Sequence, residues 1–241
     1  MRIPRVYVDQ ALCQGQVIVL SDNAAHYVSR VLRMGEGRPL ILFNGQGGEY
    51  HGQIVSADKK AVSVELDTYN PDDRKSPLDI ELAIGLSRGE RWDFVLQKAT
   101  ELGVSRIVPL STERTEVKLK GDRLEKKQQH WQQIGISACE QSQRNRLPEI
   151  APLTNLLDYI GEAKGAAKFV LHHRDSQGLA AQPTPTSVSL LIGPEGGLSD
   201  EEITAARTAG FQPLTLGPRV LRTETAPIVA ISLAQHLWGD L

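Results

Sequence analysis

Short runs rich in β-branched residues dominate the first part of the chain: Ile3–Val8, Gln16–Leu20, Pro39–Phe43, Glu49–Ser56 and Ala61–Leu66. Their length and composition are those of strands. Asn44-Gly45-Gln46-Gly47-Gly48 supplies the φ > 0 positions of a hairpin loop. One helical pattern interrupts the strands. Ser21 or Asp22 can cap it, Val28, Val31 and Leu32 form its apolar stripe, and Gly35 ends it. Several short strands with a single helix predict a small barrel.

The polar stretch from Asn70 to Pro77 is bracketed by prolines and reads as a linker. Beyond it, strands alternate with helices, the rhythm of a parallel α/β sheet. The predicted strands are Leu78–Leu86, Val104–Leu110, Lys168–Leu171, Val188–Ile192 and Gln212–Leu216. Arg91–Leu102 reads as a helix stopped by Gly103, and a long helix covers Arg123 to Gln141. Ser199-Asp200-Glu201-Glu202 is a capping box that opens another helix. The last helix starts near Pro227 and presents Ile228, Ile231, Ala234 and Leu237 on one face. The domains are therefore expected at 1–72 and 73–241.

Composition narrows the class. With 40% hydrophobic and 23% charged residues the chain has enough apolar material for a core. No stretch approaches the roughly 18 apolar residues of a membrane span, and the N-terminus carries no apolar signal segment. A cytoplasmic protein without membrane contact is expected. Cys13 and Cys139 show no disulfide or metal-ligand spacing, and His172 and His173, as strand neighbours, would point to opposite faces. No metal is expected. A net charge of -2 announces no nucleic-acid partner. Between Arg114 and Lys127, however, six Lys/Arg stand against three Asp/Glu, a density that a solvated helix face also explains.

The chemistry concentrates in two glycine loops. The strand ending at Ile192 opens into Gly193-Pro194-Glu195-Gly196-Gly197, and Leu216-Gly217-Pro218-Arg219-Val220-Leu221-Arg222-Thr223-Glu224-Thr225-Ala226 follows the next strand. Two such loops suggest a crevice at the carboxyl ends of parallel strands. Neither has the GxxxxGK[ST] or GxGxxG pattern of a phosphate cradle, and Glu195 would repel a polyphosphate. A ligand without phosphate, even a cationic one such as S-adenosylmethionine, suits the loops better. Each loop alone could equally be a tight turn.

These two segments closely resemble the RsmE family, bacterial methyltransferases for N3 of a uridine in small-subunit ribosomal RNA, within the SPOUT superfamily. The resemblance extends to Arg30-Val31-Leu32-Arg33-Met34, Ser87-Arg88-Gly89-Glu90, the run Gln97 to Val104, Ala138-Cys139-Glu140-Gln141 and Arg144-Asn145-Arg146. It implies a PUA-like RNA-binding N-terminal β-barrel and a C-terminal α/β domain. That domain would be a trefoil-knotted parallel sheet with helices on both faces. The resemblance also implies a homodimer, S-adenosylmethionine as cofactor, and the 16S ribosomal RNA of the small ribosomal subunit as partner.

Carried onto this chain, the resemblance places Ile192, Gly193, Pro194, Glu195, Gly196 and Gly197 on one wall of the cofactor site. Leu216, Gly217, Leu221, Arg222, Thr225 and Ala226 form the other, with Leu171 and His172 at the end of a third strand. Leu216 and Leu221 could also be core residues. Methylating uracil N3 requires loss of the N3 proton and stabilisation of charge on O2 or O4. Glu224 is the candidate base and Arg222 the candidate donor. Glu224 could instead cap the final helix or pair with Arg222, and Arg222 could grip a phosphate. Arg2, Arg5, Arg30, Arg33, Arg88, Arg144 and Arg146 are candidate RNA contacts, with Arg30 and Arg33 expected on one helix face.

Two other readings stay open. A knotted ribose 2′-O-methyltransferase typically carries a Ser-Leu-Asn segment where this chain has Leu221-Arg222-Thr223-Glu224-Thr225. A non-catalytic RNA-binding ribosome-assembly factor would be expected to have lost these loops.

Overall fold

The structure, a computed structural model, describes residues 3–58, 61–172, 179 and 184–241. Arg2 and His173 lie outside the described residues. Two compact units form. The first is Met1–Lys75 with Cys139–Leu147, and the second is Ser76–Ala138 with Pro148–Leu241.

In the first unit, β1 (Arg5–Tyr7), β2 (Val17–Val19), β3 (Pro39–Phe43), β4 (Glu49–Ala57) and β5 (Val62–Asn70) form a sheet in the order β1-β3-β4-β5-β2. Among the described residues only the β1–β3 pairing of this sheet is parallel. Period-2 alternation sends Val62, Val64 and Leu66 inward and Glu65 and Asp67 outward. Val6, Ile18, Leu40, Leu42, Ile54 and Val64, drawn from all five strands, share one core cluster with Ala24, Ala25 and Val28. The sheet thus encloses a single barrel-like core, although among the described residues no pairing joins β1 to β2.

The helix departs from its predicted pattern. After α1 (Asp22–His26) it widens into a π turn over Tyr27–Val31, with Leu32 N–H donating to the Tyr27 carbonyl at 2.9 Å. The wider turn breaks the 3.6-residue phase. Val28 is buried, whereas Val31 is 60% exposed. The chain then reverses at Arg33 (φ 53°), before Gly35. Arg30 and Arg33 are both exposed, but the one-face argument based on α-helical spacing does not apply to them. Ser21 occupies the N-cap without a side-chain capping bond.

Residues 139–147 belong to this unit through buried polar contacts. The Arg5 guanidinium pairs with Glu49 and donates to Asn145 Oδ1 (2.6 Å) and to the Arg144 carbonyl (3.3 Å). Asn145 donates to the Asp72 carbonyl at 2.6 Å, and Arg146 pairs with Asp73 at 2.6 Å. Arg5 is therefore buried structural cement, which corrects its assignment as an RNA contact: a guanidinium already desolvated and paired offers nothing to a phosphate. The expected boundary at residue 72 likewise moves to Lys75 and leaves out the returning segment.

Burial would raise the Glu49 pKa, but the hydrogen bond and charge of Arg5, the charge of Arg74 and a contact with His51 bring it below the ordinary carboxylate value. A depressed carboxylate stabilises the fold above its unfolded pKa of about 4.3, and that contribution is lost as pH falls through the folded value. Glu49→Gln should cost about 3 kcal/mol at neutral pH. It should also flatten the fall in Tm on acidification, which thermal melts across pH will register. Cys139 is buried beneath the Arg146 carbonyl (3.5 Å), and burial pushes its thiol up to about 11 against the opposing charges of Arg144 and Arg5. Iodoacetamide at neutral pH should label exposed Cys13 and spare Cys139 until denaturant is added, as mass spectrometry of the peptides will show.

In the second unit, β6 (Asp79–Gly85), β7 (Arg106–Ser111), β8 (Glu149–Ile150), β9 (Thr154–Asn155), β10 (Ala167–Leu171), β11 (Ser187–Ile192) and β12 (Gln212–Leu214) are all parallel. Their order is β12-β10-β11-β6-β7-β8, with β9 beside β7. The helices are α2 (Gly89–Glu101), α3 (Asp122–Ser142, which from Cys139 on belongs to the first unit), α4 (Leu156–Glu162), α5 (Asp200–Thr208) and α6 (Thr225–Trp238). Alternation explains the layers. Leu82, Ile84, Leu190 and Ile192 pack with Trp92 and Val95 of α2 and Ala230 and Ile231 of α6. Ala83, Val108, Val170 and Leu191 meet Leu156 and Tyr159 of α4 and Ala206 of α5. Helices thus cover both faces of a parallel sheet. On α6 the buried stripe runs through Ala230, Ile231 and Ala234, while Leu237 is 39% exposed. Among the described residues no helix is long and apolar enough to cross a membrane.

Candidate active site

Three adjacent parallel strands end together at one edge of the second unit's sheet. β10 lies between β12 and β11, so Leu171 and His172 sit between the two glycine loops. His172 N–H donates to the Leu214 carbonyl (3.0 Å) and Thr215 Oγ1 to the His172 carbonyl (2.9 Å), locking the second loop to the central strand.

A cleft of about 780 Å³ opens over these strand ends, within the size range of small-molecule sites. It is lined by Leu171, His172, Ile192, Gly193, Pro194, Glu195, Gly196, Gly197, Leu216, Gly217, Leu221, Arg222, Glu224 and Ala226. Of the residues assigned to the cofactor walls, Thr225 alone is not in this lining. Its N–H, like that of Ala226, donates to the Arg222 carbonyl (2.9 Å each) and forms the first turn of α6.

The first loop is packed closely at its start. A Cβ on Gly193 would lie 2.9 Å from the backbone of Gly197 and Leu198, and one on Gly85 would lie 2.5 Å from Pro194. The loop closes with Gly197 N–H on the Pro194 carbonyl (2.8 Å), Gly197 having φ +70°. Residues outside the loop hold it. Arg114 donates to the carbonyls of Gly196 (3.2 Å) and Leu198 (3.3 Å). Glu202 completes the capping box with Ser199 and also accepts the Glu113 N–H at 2.8 Å. Glu195 accepts from the Arg88 N–H (3.4 Å) and pairs with Arg91 (3.5 Å).

Arg114 and Arg91 were not singled out by the sequence pattern, since nothing around them distinguishes them from surface arginines.

The candidate base and donor both belong to the second loop. Glu224 holds the N-cap position of α6 without a side-chain capping bond. Among the described residues it forms no ion pair with Arg222. Arg222 is exposed and Glu224 half-buried, both facing the cleft. Among the described residues the capping and pairing alternatives are thus not adopted, and both residues line the same cleft. Of the RNA candidates in this unit, Arg88 is exposed and paired with Glu116 at 2.5 Å.

The cleft fits S-adenosylmethionine. Aliphatic walls at Leu171, Ile192, Leu216 and Leu221 accept a flat base, backbone edges bared by glycine accept close approach, and the Glu195 and Glu224 carboxylates suit a positive sulfonium. Among the described residues no group of three or more His, Cys, Asp or Glu could hold a metal ion.

Comparison with known proteins agrees with this geometry. The model of an RNA methyltransferase domain family matches residues 74–235, and that of an RNA methyltransferase PUA domain matches residues 20–67. A protein of Buchnera aphidicola subsp. Acyrthosiphon pisum named ribosomal RNA small subunit methyltransferase E is 34% identical over 99% of this chain and 95% of its own length. The structure of a Legionella pneumophila protein with bound SAM is 45% identical with a TM-score of 0.97, each chain covered in full. That of ribosomal RNA small subunit methyltransferase E from Neisseria gonorrhoeae, bound to S-adenosyl methionine, is 37% identical with a TM-score of 0.94, again over both full chains.

Proposed function

The chain belongs to the RsmE family of small-subunit ribosomal RNA methyltransferases, and on that basis we propose that it transfers a methyl group from S-adenosylmethionine to N3 of a specific uridine in 16S ribosomal RNA. The observation that carries this reading is the cleft itself. Three strand ends converge on it, its first loop excludes any side chain at Gly193, and Glu224, with no ion-pair or capping partner among the described residues, lines it.

The cofactor, when bound, supplies an electrophilic methyl group on a positively charged sulfur. The chain's residues do the rest. Glu195, Gly196 and Gly197 orient the ligand through backbone, and the apolar wall excludes water. Glu224 removes the N3 proton as the nitrogen becomes nucleophilic. Arg222 donates to O2 or O4, where negative charge accumulates. The uridine must be unpaired or extruded to reach this position.

The family's trefoil knot and homodimer are part of the same proposal. Phe94 on α2 and Leu233 and Leu237 on α6, exposed apolar residues of the second unit, support a partner surface there.

Calorimetric titration of the protein with S-adenosylmethionine tests the reading against the assembly-factor alternative. Saturable one-site binding is expected, and no binding heat under any buffer would favour the non-catalytic factor.

A further inference from the structure

A second cavity, about 330 Å³, lies in the same unit where β6 leads into α2, and the function described above makes no use of it. Its lining includes Leu86, Ser87, Trp92, Asp93, Leu119 and Trp131, with Arg88, Arg123 and Lys127 also contributing. Ser87 is 2% exposed and Trp92 1%. Ser87 Oγ and Trp92 Nε1 are nonetheless buried without a hydrogen-bond partner among the described residues. Buried donors left unpaired are costly and call for a ligand or a water.

From this cavity we infer a subsite for a nucleobase of the RNA strand, one other than the methylated uridine; the inference rests on the RNA methyltransferase reading. Trp92 and Trp131, with ring centroids 5.4 Å apart and each at most 2% exposed, pack against one another beneath a largely apolar interior, which suits the apolar faces of a planar base. Ser87 and Trp92 offer donors, and Asp93, itself in contact with His130 at 2.9 Å, offers an acceptor. An N–H beside a carbonyl on a base edge complements that set. A phosphate in the interior would instead meet the Asp93 carboxylate.

Cations stand where the backbone of such a nucleotide would pass. Arg123 and Lys127 are i,i+4 neighbours on α3, and among the described residues they have no ion-pair partner, whereas Arg88 is paired with Glu116. The subsite adjoins the cofactor cleft through the β6–α2 turn, because the Arg88 N–H donates to Glu195. One strand could thus place its target base over the cofactor and a neighbouring base here.

The test uses the full chain with ¹⁵N-labelled indoles, in which the Trp92 signal is identified by its loss in Trp92→Phe. Titration with each ribonucleoside 5′-monophosphate should shift the Trp92 Nε1–H resonance for at least one base, while inorganic phosphate should leave it in place. No shift with any of the four would mean that a water alone satisfies the indole, and an equal shift with phosphate would mean an anion site; either overturns the subsite. Ser87→Ala and the surface variant Arg123→Gln/Lys127→Gln, checked for native Tm, should each raise KM for small ribosomal subunits about tenfold, the scale of one lost buried hydrogen bond or of lost phosphate contacts. They should leave S-adenosylmethionine affinity unchanged. Unchanged KM in both variants, with the wild type methylating subunits normally, would sink the subsite and leave the function standing. A wild type that methylates no subunits would instead sink the function, whatever the nucleotides do.

Discussion

Glu224→Gln is expected to lower kcat roughly 100-fold or more, the usual contribution of a positioned general base, while S-adenosylmethionine affinity stays at the wild-type value. The amide is isosteric and keeps the backbone turn in which the N–H groups of Thr225 and Ala226 meet the Arg222 carbonyl, so the start of α6 is preserved. Only the capacity to take a proton is removed. The carboxylate neither caps α6 nor pairs with Arg222 among the described residues, so its loss breaks no structural bond there. Single-turnover methylation with saturating cofactor, alongside calorimetry, separates chemistry from binding. Turnover near that of the wild type would show that Glu224 is not the base.

Gly193→Ala is expected to weaken cofactor binding by roughly 10- to 100-fold, equivalent to about 1–3 kcal/mol of overpacking. The added methyl would sit 2.9 Å from the carbonyl carbon of Gly197 and from the nitrogen of Leu198. Those are backbone atoms at the closing end of the same loop, and they cannot rotate away as a side chain would. The loop must open, pulling against Arg114 and against the Ser199–Glu202 capping box. Gly85→Ala presses on the same loop from below, where Pro194 lies 2.5 Å from the added Cβ, and should act in the same direction. Calorimetry reads both effects. Unchanged affinity in both variants would mean that the loop does not form the cofactor wall.

Much of this site is legible in the sequence. The glycine loops, the Ser199–Glu202 capping box and the strand ending at Ile192 announce themselves because their signals are local: φ > 0 positions, a capping spacing, an apolar run. The parallel order of the strands follows from their alternation with helices. What stayed hidden is what depends on distance along the chain. Arg5 looked like a surface cation because its partners Glu49 and Asn145 lie far away in sequence. Arg114 looked like one member of a basic stretch, yet it donates to the carbonyls of Gly196 and Leu198 at the first glycine loop. The π turn at Tyr27–Val31 shifted the helical phase in a way no regular period anticipates, exposing Val31. β8, β9 and α4, too short for a periodic signal, were not assigned at all. The glycine loops therefore pointed to a ligand earlier and more firmly than Glu224 pointed to a base, whose unpaired state only the folded loop reveals.

The central claim is tested most directly by supplying the protein with isotope-labelled S-adenosylmethionine and small ribosomal subunits from a strain lacking the modification, followed by nucleoside analysis of the RNA. The expected product is labelled 3-methyluridine and no other labelled nucleoside. Label on a ribose 2′-oxygen, on another base position, or nowhere would contradict the account.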